Sequence, residues 1–389
     1  MSTKTDNSPT VSVLTPSGRG AIAVVSVDGP GAANAVEPLF LSASGQPLGE
    51  LPVGRIAFGR WNAANGEEVV VTRFDDRVEV HCHGGVAASR AIVESLEQRG
   101  CQPIGRAEWL EANTPYPIAA AAHELLGRVQ TEKAALILLD QLNGALRAEI
   151  ERIVKLLDTE QWSEAQQVLQ TLLERQPLGE RLTQPARVVL TGPPNVGKSS
   201  LINALVGYER AIVFDLPGTT RDLVTATTAI DGWAVELVDT AGLRAEATGI
   251  EQTGIELAQQ AIAAADLVLR VGDARTCLSG AAPETVFDKW VDGKSIVEVA
   301  NKADLLLAEE RSELLERASD SFALTSATAV EGIDTLLARI AEVVVPQELP
   351  PGAAVPVTKE QFESLEAAHQ HAASGEVASA KQTLLAMLG

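Results

Sequence analysis

Residues 192–199 read Gly-Pro-Pro-Asn-Val-Gly-Lys-Ser, two glycines, a lysine and a hydroxyl in the spacing G-x-x-x-x-G-K-[ST]. Glycines let backbone N–H groups approach a phosphate chain, and a helix starting beside them adds the positive end of its dipole. Lys198 would reach β- and γ-phosphates, and the Ser199 hydroxyl would ligate Mg²⁺. Gly192, Asn195, Val196, Gly197 and Ser200 count with them as nucleotide-contacting positions. Asp239-Thr240-Ala241-Gly242 follows the apolar run Ala234–Val238. An acid at a strand's end can hold Mg²⁺ through water, and the Gly242 N–H can face a γ-phosphate. Asn301-Lys302-Ala303-Asp304 follows Ile296–Ala300. The Asp304 carboxylate can accept from guanine N1–H and N2–H₂, a pair that adenine does not offer. Lys302 can lie along the base plane, and Asn301 can tie its loop to the phosphate loop. Ser326-Ala327-Thr328 can supply a backbone N–H to guanine O6. In this order, each after a strand, the motifs point to GTP and GDP; an ATP site would leave Asp304 unexplained.

Pro217-Gly218-Thr219-Thr220-Arg221-Asp222 lies between the phosphate loop and Asp239. A hydroxyl there can join the Mg²⁺ shell when a γ-phosphate is present, so the loop would order with GTP and loosen with GDP. The bland alternative is an ordinary Gly/Pro surface turn. Leu243 stands where Ras-like enzymes carry a water-orienting glutamine, so another group must do that work.

The elements that must position these residues are short, apolar and β-branched: Val188–Leu190, Val235–Val238, Leu267–Val271, Ile296–Ala300 and Phe322–Leu324. Such runs suit a parallel sheet covered on both faces. Upstream, Ile22–Val27, Val69–Phe74 and Val78–Cys82 read as strands and Val86–Gln98 as a helix, a mixed α and β region. Between Ile118 and Arg181, helix formers dominate, with Ile150, Ile153, Val154 and Leu157, and then Val168, Leu169, Leu172 and Leu173, at helical spacing. Prolines at 346, 350, 351 and 356 mark a linker before a last helical stretch, Lys359–Leu388. The expected architecture is an α/β P-loop GTPase domain (185–346) inserted in an α-helical domain (118–184 and 347–389). An α+β N-terminal domain (1–117) precedes both.

With 31 basic against 52 acidic residues the net charge is −21, a field that repels nucleic-acid backbones unless a basic patch is local or a partner delivers the RNA. Cys82, Cys101 and Cys277 form no C-x-x-C pair, which indicates neither a zinc site nor a disulfide framework and fits a reducing compartment. The opening MSTKTDNSPT has no apolar core of a signal peptide, and no run approaches the roughly 18 apolar residues of a membrane span. The expectation is a soluble cytoplasmic protein.

The motifs G-x-x-N-x-G-K-S-S, G-T-T-R-D and D-T-A-G-L-R, with Glu251-Gln-Thr-Gly-Ile-Glu256 after them, resemble the MnmE (TrmE) family of potassium-activated tRNA modification GTPases. Thr15-Pro-Ser-Gly-Arg-Gly-Ala-Ile22 and Val78-Glu-Val-His-Cys-His-Gly-Gly85 are similar to that family's N-terminal signatures. The resemblance implies that Asn195, with Thr219 and loop backbone from Phe214 to Leu216, helps bind K⁺ where other GTPases place an arginine finger. It implies that Ser199, Thr220 and Asp239 belong to the Mg²⁺ shell, and that Glu251 is the catalytic glutamate positioning water. Lys198, Thr219 and Thr220 join Glu251 as the catalytic set. It further implies a homodimer, an N-terminal domain that takes formyl-tetrahydrofolate, an MnmG-like flavoprotein partner, and tRNA modified at the wobble uridine.

The chain departs from the family pattern in a short helical domain and in three local stretches. Its end, Leu385-Ala-Met-Leu-Gly389, lacks the C-[IV]-G-K motif. Arg73–Arg77 replaces a longer S-Y-T-G-E-D stretch, and unrelated residues occupy Trp109–Pro117. An alternative reading follows, a potassium-activated, GTP-dependent dimerisation switch that has lost tRNA modification. His81 and His83 share a strand face with Glu79, a set that could hold a metal; a structural role, with imidazoles bonded to nearby backbone, is the favoured reading.

Overall fold

In the segment 77–83, Val78, Val80 and Cys82 alternate with Glu79, His81 and His83, and the strand it forms buries the first three and leaves the others toward solvent. This computed structural model describes residues 8–16, 20–63, 65–208, 225–240, 251–280, 288–316 and 322–389, with backbone only at 251–255 and 288. The chain divides into two compact units, one of Met1–Arg128 with Leu142–Gly144 and Leu385–Gly389, the other of Val129–Gln141 with Ala145–Leu384.

The first unit holds strands β1 (Thr10–Val13), β2 (Ile22–Asp28), β3 (Phe40–Ser42), β4 (Ile56–Trp61), β5 (Glu68–Arg73), β6 (Arg77–His83) and β7 (Gln102–Pro103) in the order β3-β4-β5-β6-β2-β1-β7. All neighbours are antiparallel except β1 and β7. The helix Val86–Glu97 buries Ile92 and Leu96 in a core with Val25, Val27, Val71 and Val80. Phe74 falls outside β5, in the tight turn to β6 closed by its N–H to the Arg77 carbonyl. Residues 74–76 are therefore a hairpin connection between β5 and β6. Residues 106–113 form a helix whose Trp109 indole donates to Asp28 at 2.7 Å.

In the second unit the helices Ala145–Asp158 and Trp162–Glu174 bury Ile150, Ile153, Leu157, Leu169 and Leu172, five of the eight positions the helical spacing picks out, while Val154, Val168 and Leu173 are half-buried. Trp162–Glu174 packs against Lys359–Ala373, which starts in a capping box between Thr358 and Gln361. Gln141 accepts from Val355 N–H and donates to the Ala353 carbonyl, both at 3.0 Å, tying the proline-rich segment to the helix Glu132–Leu142.

The second sheet comprises β8 (Ala186–Thr191), β9 (Thr225–Ile230), β10 (Trp233–Asp239), β11 (Leu267–Asp273), β12 (Ser295–Asn301) and β13 (Phe322–Leu324), ordered β13-β12-β11-β8-β10-β9. One face packs Leu190, Leu237, Leu269 and Val271 against the helices Lys198–Val206 and Ile333–Val344. The other packs Val189, Val238 and Val268 against Ala258 and Ile262 of Glu251–Ala263. An all-parallel sheet is corrected at one edge, because β9 runs antiparallel to β10. Asp231-Gly232 joins them with both φ angles positive, 49° and 78°, as a two-residue I′ hairpin requires. Among the described residues, no helix is long and apolar enough to cross a membrane.

Candidate functional site

Five of the six strands of the second sheet are parallel, so the loops after β8, β10, β11, β12 and β13 leave from one edge, where ligands of open α/β sheets bind. After β8 the chain turns through Gly192 at φ 145° and Gly197 at φ 91°, and Gly197 opens the helix Lys198–Val206. A Cβ at Gly192 would meet the Val271 carbonyl oxygen at 2.1 Å, and one at Gly197 would meet Asn301 Nδ2 at 2.5 Å. Only glycine fits either place. Asn195 is also left-handed, at φ 64°. Val196 and Lys198 are buried, and the Lys198 ammonium donates to the Gly192 and Pro193 carbonyls, each at 2.9 Å.

Ser199 Oγ donates to Asp239 Oδ2 at 2.5 Å, so two of the three residues expected in the Mg²⁺ shell are brought together. The buried Thr240 hydroxyl holds the Leu190 carbonyl at 2.8 Å, locking the end of β10 to β8. Two oxygen donors side by side at a helix N-terminus next to a glycine cradle are a donor set that suits a hard divalent cation beside a phosphate.

Asn301 is buried and spans three loops. Its Nδ2 donates to the Val196 carbonyl at 2.8 Å, and its Oδ1 accepts from Thr325 Oγ1 at 3.2 Å and from Ala327 N–H at 3.1 Å. The tie to the phosphate loop expected of Asn301 is present. The Ala327 N–H expected on guanine O6 is directed to Asn301 instead. Asp304 Oδ1 accepts from Ser326 Oγ at 2.5 Å, which joins the two expected guanine-side loops. Lys302 takes a left-handed backbone, φ 67°, and its ammonium lies 3.0 Å from Asp273 Oδ2. Asp273 and Thr325 are missing from the sequence reading. Asp273 carried a signal, an acid ending an apolar strand, as at Asp239; Thr325 carried none.

Ser200 lies in the first turn of the helix Lys198–Val206. Glu251 begins the helix Glu251–Ala263, its side chain outside the described residues. Phe214, Leu216, Thr219, Thr220 and Gly242 also lie outside them.

His81 and His83 do share the face of β6 with Glu79, but their partners correct the expected backbone bonding. His83 Nδ1 meets Glu67 Oε1 at 2.6 Å and His81 Nε2 lies 3.5 Å from Glu79 Oε2. No metal-holding group of three or more His, Cys, Asp or Glu is present among the described residues. Cys82 sits in the core, as its apolar face implies. Cys277 is half-buried in the helix Ala274–Leu278, where burial pushes its thiol above the ordinary value and Glu298 and Asp273 push the same way.

Residues 187–302 match the family model described as 50S ribosome-binding GTPase. The tRNA modification GTPase MnmE of Synechococcus sp. (strain CC9311) is 34% identical over 367 residues, covering 84% of this chain and 78% of that protein. The MnmE of Symbiobacterium thermophilum is 32% identical, covering 85% and 81%, and that of Moorella thermoacetica 30% identical, covering 86% and 81%. The chain is thus a GTP hydrolase, and kinship extending over most of its length, well beyond the nucleotide-binding segment, makes it a member of the MnmE family.

Proposed function

We propose that this protein couples GTP hydrolysis to tRNA modification at the wobble uridine. The observation that carries the reading is chain-long similarity to proteins named tRNA modification GTPase, joined to a site in which Asn301 links the phosphate loop to both expected guanine-side loops. The alternative, a switch that has lost tRNA modification, draws no support from that similarity.

Within this reading Lys198 and the backbone of Gly192, Asn195, Val196, Gly197, Ser199 and Ser200 hold the phosphates. Ser199 and Asp239, with Thr220, would hold Mg²⁺, which would supply positive charge beside the phosphates. Gly242 faces the γ-phosphate. Asn195, Phe214, Leu216 and Thr219 form the K⁺ site, and Glu251 positions the attacking water. Asp304 reads the guanine edge, Lys302 lies along the base, and Ser326-Ala327 closes over O6 once the Ala327 N–H is released from or shared with Asn301. A homodimer, an MnmG-like flavoprotein, a bound formyl-tetrahydrofolate and a cytoplasmic location extend the same reading. So does a nucleotide-binding domain (185–346) inserted in a helical one (118–184 and 347–389), behind an N-terminal domain (1–117). The contacts of Gln141 with residues 353 and 355 support the insertion, since they bring the flanking segments together.

The test is nucleoside mass spectrometry of tRNA from a strain deleted for this gene. Loss of the modified wobble uridine, restored by the wild-type gene and not by Lys198→Ala, is the expected result. Unchanged wobble nucleosides would overturn the tRNA role and leave GTP hydrolysis standing.

A further inference from the structure

Asp273 ends β11 in register with Asn301 at the end of β12, beside the loop expected to read guanine. Its two carboxylate oxygens have separate tasks. Oδ1 accepts from Arg275 N–H at 3.1 Å and caps the helix Ala274–Leu278, while Oδ2 lies 3.0 Å from Lys302 Nζ. The pair is partly buried, with Lys302 at 32% and Asp273 at 25% side-chain exposure. Lys302 is held at its backbone as well. Its φ of 67° and ψ of 39° are left-handed, the next N–H, of Ala303, donates to the Thr325 carbonyl at 3.0 Å, and its own carbonyl accepts from Leu305 N–H at 3.1 Å. Both ends of a flexible four-carbon stem are therefore fixed, the backbone by its loop and the ammonium by Asp273.

We propose that Asp273 is a positioning residue for guanine-nucleotide binding, acting through Lys302 without touching the nucleotide. A lysine stem ordered beforehand loses less freedom when a base and ribose arrive alongside it, and that saving appears as affinity. Asp273 suits the task because its strand and its cap both restrain it. The proposal rests on the reading of Asn301–Asp304 as the guanine loop.

The test is equilibrium binding of fluorescent GDP to the full chain, with single-turnover GTP hydrolysis measured at saturation. Asp273→Asn keeps an acceptor for the Arg275 N–H, since asparagine caps as well as aspartate, but holds an ammonium poorly. GDP affinity should fall roughly three- to tenfold, in keeping with a partly exposed pair, while the saturated hydrolysis rate stays within about twofold. In a Lys302→Ala background, Asp273→Asn should add nothing, because the interaction it removes is already gone. Wild-type or tighter affinity in Asp273→Asn overturns the proposal, and so does an equal loss in the Lys302→Ala background, which marks a merely structural role. Wild-type protein that fails to bind GDP, or Lys302→Ala that binds it normally, overturns the guanine-loop reading and the proposal with it. If Asp273→Asn does not fold, Asp273→Ser supplies the cap and removes the charge, with the same outcomes.

Discussion

Asn301 Nδ2 donates to the Val196 carbonyl across 105 residues of chain, and the two atoms are 2.8 Å apart in a fully buried setting. A Cβ at Gly197, the next residue, would strike the same nitrogen at 2.5 Å. The phosphate loop is thus shaped against the Asn301 amide, which on its other side receives Thr325 Oγ1 and Ala327 N–H. Any change at Asn301 is felt in three loops together.

Asn301→Ala leaves a buried carbonyl, a hydroxyl and an N–H without their partner. Unmade bonds of this kind cost about 1–3 kcal/mol each when burial persists, so a total loss of about 2–4 kcal/mol is expected after relaxation. Thermal unfolding of the nucleotide-free protein should report it as a lower Tm, with weaker GDP binding in parallel. An unchanged Tm would mean that the three loops hold their shape without this side chain.

Asp304→Asn exchanges an acceptor for a donor at the guanine 2-position, while Ser326 Oγ can still donate to the remaining oxygen. Preference should move from GTP toward XTP by roughly ten- to a hundredfold, the worth of one charge-assisted hydrogen bond. Competition binding with GTP and XTP measures it. An unchanged ratio would remove Asp304 from base recognition.

Hydrolysis should depend on K⁺. The proposed cation stands where an arginine finger stands in other GTPases, a group worth 10³–10⁵ in rate, so replacing K⁺ by Na⁺ at equal ionic strength should slow turnover on the order of 10²-fold or more. Asn195→Ala should abolish most of the difference between the two salts. Equal wild-type rates in both would eliminate the potassium site and not the GTPase.

Glu251→Ala should lower kcat on the order of 10²–10⁴-fold with little effect on GTP affinity, because a water-orienting carboxylate acts mainly in the transition state. Single-turnover hydrolysis beside equilibrium binding separates the two. Wild-type turnover would pass the role to another carboxylate, of which Glu256 is the nearest in sequence.

Much of the site was legible along the chain because phosphate and guanine chemistry constrain local residue types. A backbone that must approach phosphates needs Gly192 and Gly197, and Lys198, Ser199, Asp239, Asn301 and Asp304 each follow a strand the apolar runs already marked. The less regular strands were not. Thr225–Ile230 is rich in threonine and alanine, and β4 exposes Ile56 and Phe58, so neither shows a clear alternation of apolar and polar residues. The Asp231-Gly232 turn was the available clue to the antiparallel edge.

Partner choice is another matter. Ser199 meets Asp239 because β8 and β10 are neighbours in the sheet, and Lys302 meets Asp273 because β11 and β12 pair with Asp273 opposite Asn301. Such contacts depend on strand order and register, which arise from pairing between residues distant in the chain. Spacing along a sequence carries the chemistry a residue can do; the folded sheet selects which of several possible carboxylates, amides and hydroxyls it does it with.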